Sequence, residues 1–301
     1  KKKLNPYHLL LNPVSLGIDL KRIAIIGVGL IGGSLGLAIK KRNPARELIG
    51  IGRRQESLDK ALRVGAVDRV TLKLEEGVKD ADLVVVATPV GLITGMIERT
   101  VTALPPGTII TDVGSTKGKI VEEAERIIPE GISFVGGHPL AGSEKRGVEE
   151  AKADLFEPSV CILTPGEKTS SASLAAIKSL WEEVGAKVEV MKPGEHDFLI
   201  AATSHLPHLL ATTLVNLVSD LEGKDERIIS LIANGFKDTT RIAASSPELW
   251  RDICLSNRDN LAGMIDRFKE LLEEAKEHIS NEDGALIRED FNKAKEFRDR
   301  F

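Results

Sequence analysis

Several short segments combine side chains able to do acid–base or anion chemistry with glycines and turn formers. Asp112-Val113-Gly114-Ser115-Thr116-Lys117 follows an apolar run and precedes an amphipathic one, so its hydroxyls stand where a strand ends and a helix begins. There they can cap the helix or meet a ligand. Gly136-Gly137-His138-Pro139-Leu140-Ala141-Gly142-Ser143-Glu144 carries one imidazole. Pro139 holds His138 extended, the glycines leave room beside its ring, and a neutral imidazole can act as a general base near neutral pH. In Ser204-His205-Leu206-Pro207-His208, an i, i+3 histidine pair would share one helix face, and Pro207 should disturb the turn. Two histidines without a third ligand do not make a metal site, so these line a polar pocket and no metal is expected. Gly235-Phe236-Lys237-Asp238-Thr239-Thr240-Arg241 ends in a guanidinium able to clamp a carboxylate.

A second constellation serves phosphate rather than proton transfer. Gly27-Val28-Gly29-Leu30-Ile31-Gly32 follows the apolar run 23–26 and opens a helix. A GxGxxG in that context permits a tight turn and lets a pyrophosphate approach backbone N–H groups at a helix N-terminus. Gly27, Gly29, Leu30, Ile31 and Gly32 are therefore dinucleotide-contact candidates, with Thr88 and Pro89, which follow the apolar run 83–87. About 20 residues beyond such a loop, NAD-specific folds place an acid for the ribose 2′-hydroxyl. Here the chain has Gly52-Arg53-Arg54, two guanidiniums suited to a 2′-phosphate, so NADP is expected over NAD.

The elements that must position these residues follow from periodicity. From Lys21 onward, short β-branched runs alternate with amphipathic stretches, the pattern of a parallel sheet wound by crossover helices. Strands are expected at 22–26, 48–51, 83–87, 108–111, 133–135, 160–163 and 187–190. Helices are expected at 56–64, 117–127 (capped by Ser115 and Thr116) and 172–184. After Pro193-Gly194 no strand pattern returns, and residues 195–301 read as all-helical. The expected organisation is an extension over 1–20, a Rossmann-type domain with a doubly wound, mostly parallel sheet over 21–193, and an all-α domain over 194–301. In the last part, Leu261, Met264, Ile265, Phe268, Leu271 and Leu272 form an apolar stripe among charges, able to pack on a second subunit.

Composition excludes several partner classes. The chain has 301 residues, 42% hydrophobic and 29% charged, enough for two cores, and its 41 Lys plus Arg nearly balance 45 Asp plus Glu. A formal charge of -4 argues against wholesale nucleic-acid or membrane-surface binding and for a small-molecule partner. The uncharged run 23–39 is broken by glycines, and 198–219 carries too many polar groups for lipid. Cys161 and Cys254 stand in neither a CxxC nor a Cys/His spacing, which suits a reducing cytoplasm. Residues 1–20 lack the apolar core and cleavage site of a signal peptide.

Taken in order, GVGLIGGSLG, DVGSTK, GGHPLAGSEKRG, SHLPH and FKDTTRIA resemble the motifs of the prephenate dehydrogenase family, which comprises prephenate and arogenate dehydrogenases of tyrosine biosynthesis. The resemblance runs from about Lys21 to the C-terminus. It implies a Rossmann-type domain followed by a helical domain that dimerises, and oxidative decarboxylation of prephenate with hydride transfer to NAD(P)+. It also implies that His138 is the catalytic histidine, Ser115 its hydrogen-bonding partner beside the nicotinamide, and Arg241 the substrate-carboxylate clamp. His205, His208 and Glu144 match positions near the substrate mouth. Arg53-Arg54 departs from the acid of many NAD-using members. The alternatives are an arogenate dehydrogenase and a non-catalytic dinucleotide-sensing protein of the same fold.

Overall fold

The structure, a computed structural model, describes residues 18–142, 145 and 147–301. Eight strands form one sheet: β1 Arg22–Ile26, β2 Glu47–Ile51, β3 Arg69–Thr71, β4 Leu83–Val86, β5 Ile109–Asp112, β6 Ser133–Pro139, β7 Val160–Pro165 and β8 Lys187–Val190. Their spatial order is β3-β2-β1-β4-β5-β6-β7-β8, parallel throughout except for the antiparallel β6–β7 pair. The order reverses between β1 and β4, and in open α/β sheets ligands bind at the carboxyl ends of the strands beside that switch.

Both faces of the central strands are apolar, which a parallel sheet covered by helices requires. Ile23, Ile25, Leu83, Val85 and Val135 pack with α1 Leu30–Arg42, α2 Gln55–Arg63 and α6 Ser171–Glu183 on one side. Ala24, Ile26, Val84, Val86 and Phe134 face the other side, where α3 Leu74–Val78, α4 Ile93–Val101 and α5 Gly118–Ile127 lie. The edge strand β3 and the helices α3 and α4 are absent from the periodicity reading. β3 has three residues and α3 five, too short to show a period.

Two expectations near the site need correction. The strand expected over 133–135 continues through His138 to Pro139, because β7 runs antiparallel alongside and pairs His138 with Ile162 and Pro139 with Cys161. His138 is thus a strand residue, and Pro139, which has no N–H to donate, sits at the strand end where that costs least. The hydroxyls of Ser115 and Thr116 do not cap α5. Its first N–H groups, from Lys117 and Gly118, donate instead to the carboxylate of Asp197, at 2.7 and 2.8 Å.

Beyond β8 the chain is helical: α7 Pro193–Ile200, α8 Leu206–Glu222, α9 Asn234–Thr240, α10 Pro247–Ser256, α11 Arg258–Ser280 and α12 Gly284–Arg298. Residues Pro193–Glu222 run as one stretch, by length and composition long and apolar enough to cross a membrane. Between α7 and α8 it makes a π-helical turn, Ala201–His205, closed by the N–H of Leu206 bonding to Ala201 five residues back. Pro207 explains the wide turn. It cannot donate to Thr203 and its ring crowds that carbonyl, so the helix shifts register by one residue. Buried His196, Asp197 and His205 on this stretch face the sheet domain.

Candidate active site

The dinucleotide cradle forms at the switch point. Gly27 leaves β1 at φ +96°, donates its N–H to Ile51 at 2.8 Å, and lies so close to β4 that a Cβ would stand 2.6 Å from the Ala87 carbonyl oxygen. Gly29 is the N-cap of α1, and nothing lies within 4 Å of where its Cβ would be. No described side chain caps α1 and no acid occupies its first turn, so its first N–H groups, from Leu30 and Ile31, are left for a ligand. Thr88, just after β4, has a buried hydroxyl with no hydrogen-bond partner among the described residues, and the exposed Pro89 follows it. A free helix N-terminus, room in front of it and an unsatisfied hydroxyl together fit a dinucleotide.

Arg53 and Arg54 follow β2, both exposed, and Arg54 is the N-cap of α2. Glu56, the nearest carboxylate in sequence, is drawn to Lys60 at 3.2 Å, and Lys60 also binds Glu149 at 2.7 Å. The guanidiniums therefore stand free of that acid.

Two strands along, a buried ion pair ties β5 to β6. Lys117 and Asp112, both fully buried, are hydrogen-bonded to each other. Lys117 also donates to the Gly137 carbonyl at 2.8 Å, and Asp112 accepts from the N–H groups of Gly114 at 2.8 Å and Gly137 at 3.1 Å. Burial pushes the Lys117 ammonium below its ordinary range, and Asp112 opposes that shift. The pair fixes the strand immediately before His138.

His138 is half-buried and points toward α7. Its Nδ1 lies 2.8 Å from Nε2 of His196, whose own Nδ1 lies 2.8 Å from Oδ1 of Asp197. Burial, then the neighbouring His196, Lys117 and His205, hold His138 well below the usual histidine value, so it is neutral at physiological pH. Burial also lowers His196 despite the pull of Asp197. For Asp197 burial opposes ionisation. Hydrogen bonds from His196 and from the N–H groups of Lys117 and Gly118 outweigh it and hold the carboxyl below its ordinary range.

The helical domain completes the wall. His205 is buried, with Nδ1 3.1 Å from the Asn257 amide, which also donates to the Asp197 carbonyl at 2.7 Å. Burial depresses His205 to about 4. Its buried Nε2 makes no hydrogen bond of normal geometry to a described residue, although the Ser115 main chain lies close enough to raise its proton affinity. His208 stacks on Trp250 at 3.8 Å between ring centroids, and Trp250 meets His205 edge-on at 6.0 Å, so both histidines share one face as the spacing implies. Burial lowers His208, and the charge of Arg241 adds to that effect. Arg241 itself is exposed, at the start of the turn Arg241–Ala244.

The structure thus gathers His138, Ser115, His205 and His208, with Arg241 electrostatically coupled to His208. Glu144 lies outside the described residues, as do residues 1–17 of the expected extension. One expected contact is built differently. The described residue bonded to His138 is His196, the Ser115 hydroxyl makes no hydrogen bond to a described residue, and Nε2 is the ring nitrogen left for Ser115 or a substrate. No group of three or more described His, Cys, Asp or Glu residues could hold a metal ion. Sequence reasoning missed His196, Asp197, Asn257 and the buried role of Lys117. The available signal was an imidazole and a carboxylate side by side at the start of an otherwise apolar helix.

Comparison with known proteins agrees on the family. The family model "Prephenate dehydrogenase, nucleotide-binding domain" matches residues 35–190, and "Prephenate dehydrogenase, dimerization domain" matches residues 192–293. The chain is 40% identical to prephenate dehydrogenase of Bacillus subtilis over 278 residues, covering 92% of this chain and 75% of that protein. It is 36% identical to cyclohexadienyl dehydrogenase of Zymomonas mobilis over 279 residues, 92% of this chain and 95% of that protein. The crystal structure of prephenate dehydrogenase from A. aeolicus, in complex with hydroxyphenyl propionate and NAD+, superposes with a TM-score of 0.88 at 34% identity. That match covers 96% of this chain and 99% of the other.

Proposed function

This chain belongs to the prephenate dehydrogenase family, and from that premise we propose that it oxidatively decarboxylates prephenate to 4-hydroxyphenylpyruvate and carbon dioxide, a step of tyrosine biosynthesis. The observation that carries the reading is His138: an imidazole held neutral at the carboxyl edge of the sheet that bears the dinucleotide cradle, with Nδ1 engaged by His196 and Nε2 bonded to no described residue.

Prephenate carries a ring hydroxyl opposite a ring carboxylate. A dinucleotide held in the cradle would supply the hydride acceptor for the carbinol hydrogen; loss of that hydride and of the hydroxyl proton gives a dienone from which the carboxylate departs as carbon dioxide, driven by aromatisation. The chain's own residues orient the substrate and manage one proton. His138 Nε2 accepts the hydroxyl proton, with Ser115 as its hydrogen-bonding partner beside the nicotinamide. Arg241 binds a substrate carboxylate, chiefly as binding energy, while His205 and His208 line the mouth with Glu144.

Arg53 and Arg54 support NADP over NAD as the preferred cofactor, since both are exposed at the end of β2 and the nearest carboxylate in sequence is paired elsewhere. Exposed Leu271, Leu272 and Ile279 on α11 and Phe291 and Phe297 on α12 support a homodimer through the helical domain, because α12 buries no residue of its own. A cytoplasmic location accords with two free cysteines. The test is reduced-nicotinamide formation with prephenate and with arogenate, each against NAD+ and NADP+. Prephenate with NADP+ is expected to give the highest kcat/KM. Arogenate ahead of prephenate overturns the substrate assignment, NAD+ at parity or better overturns the cofactor preference, and no turnover leaves a dinucleotide sensor.

A further inference from the structure

We propose that His196 and Asp197 form a positioning relay that fixes the tautomer of His138 and thereby selects Nε2 as the base. The proposal rests on the reading of His138 as the proton acceptor, and hydrogen-bond bookkeeping carries it. An ionised carboxylate only accepts, so the 2.8 Å contact between Asp197 Oδ1 and His196 Nδ1 requires the proton on that nitrogen. Neutral His196 then has only a lone pair at Nε2. The 2.8 Å contact from His138 Nδ1 to that atom requires His138 to be the donor. With its one ring proton on Nδ1, neutral His138 presents a lone pair at Nε2 and nowhere else.

The anchor of the chain is rigid. Asp197 is buried and accepts from two main-chain N–H groups, at 2.7 and 2.8 Å, at the start of α5. A carboxylate satisfied in this way cannot rotate away without stranding helix-terminal donors. His196 is fully buried, and both of its ring nitrogens are taken up by protein, Nε2 by His138 and Nδ1 by Asp197. When the substrate hydroxyl proton moves to Nε2 of His138, the new imidazolium keeps its Nδ1–H and donates it more strongly to His196. Positive charge is thus stabilised along a line ending at the Asp197 carboxylate. Burial and the charges of His196, Lys117 and His205 disfavour protonation of His138, so the line compensates only through the His138–His196 hydrogen bond, with His196 itself kept neutral by burial.

Asp197→Asn, His196→Leu and His196→Gln separate this role from mere packing. A glutamine amide carries a donor and an acceptor side by side and can bridge Asp197 and His138, whereas leucine fills space without either. Turnover of prephenate should fall on the order of 100-fold or more in His196→Leu and Asp197→Asn. In His196→Gln it should recover to within about 10-fold of wild type, with KM for the dinucleotide unchanged in all three. The second readout is independent of activity: ¹⁵N shifts of selectively labelled histidines in the full-length protein, assigned through His138→Asn. His138 should carry its proton on Nδ1 in the wild type and on Nε2 in Asp197→Asn. A wild-type His138 protonated at Nε2, or His196→Leu turning over at the wild-type rate, overturns the relay. A wild type inactive on prephenate but with His138 protonated at Nδ1 overturns the substrate assignment and leaves the relay standing.

Discussion

Gly27 and Gly29 are two residues apart in one loop, yet replacing each by alanine should fail in different ways. At Gly27 the backbone is left-handed, φ +96°, and the new methyl would stand 2.6 Å from the Ala87 carbonyl oxygen and 2.9 Å from its carbon. Both are main-chain atoms of Ala87, the residue that follows β4, and cannot swing aside. The conformational cost is about 1–2 kcal/mol, and overpacking adds roughly 1–3 kcal/mol. At about 2–4 °C per kcal/mol for a chain of a few hundred residues, Gly27→Ala should melt at least about 5 °C below wild type. At Gly29 φ is -97° and nothing lies within 4 Å of the added methyl. Stability should change by no more than about 1 kcal/mol, and the loss of unfolded-chain freedom makes a small gain possible. The methyl instead occupies the approach to the N–H groups of Leu30 and Ile31. Losing one or two charge-assisted hydrogen bonds of about 1.5–3 kcal/mol each weakens dinucleotide binding by at least about 10-fold. Thermal unfolding followed by circular dichroism and calorimetric titration with NADP+ read the two effects separately. Wild-type affinity in Gly29→Ala would refute the cradle, and an unchanged melting temperature in Gly27→Ala would refute the close approach of the loop to β4.

Other substitutions test the remaining parts. Asp112→Asn leaves the fully buried Lys117 without its counter-charge and should cost about 3–5 kcal/mol in urea unfolding; adding Lys117→Met to it should recover most of that loss. His205 titrates near 4 when folded against 6.5 in its ordinary state. The unfolded chain therefore binds a proton that the folded chain refuses between these values, and the stability this histidine contributes is full above pH 6.5 and lost as pH falls through 4. The loss is about 3 kcal/mol, and His205→Gln should flatten that segment of the pH–stability curve. His138→Asn should lower kcat about 10²–10⁴-fold with little change in KM, while Arg241→Ala should raise KM for prephenate with kcat nearly unchanged. Because His138 is held well below 6.5, the acid limb of kcat/KM should fall below that pH; a limb centred above it would refute the neutral-base assignment.

Legibility in the sequence tracked how local each determinant was. The glycine loop, the strand ends after Ile51 and Asp112, and the change of texture after Val190 are written in neighbouring residues, so periodicity and turn chemistry find them. His138 is readable as a candidate, but the strand expected from periodicity stops at 135, because its last residues are held by an antiparallel partner that begins at Val160. The true cap of α5 was not readable at all. Ser115 and Thr116 have the right types at the right spacing, yet Asp197, 80 residues later, supplies the acceptor. Propensity assigns the cap to the nearest hydroxyl, whereas tertiary packing assigns it to the carboxylate that arrives with α7.

That displaced cap explains why the site needs both halves of the chain. Asp197 satisfies the start of α5 through its two oxygens, sets His196 through one of them, and accepts the Asn257 amide at its main-chain carbonyl. Asn257 joins α10 to α11 and also reaches His205. One residue therefore ties the sheet domain, the first helix after it and the α10–α11 junction to the same few ångströms. Movement of the helical layer relative to β6 would leave buried donors at α5 unpaired and release the His138 tautomer together, since both depend on one carboxylate. The orientation of the base and the docking of the helical layer are the same set of hydrogen bonds. Variants that loosen that docking should lose turnover before they lose dinucleotide binding, because the cradle at β1 shares none of those contacts.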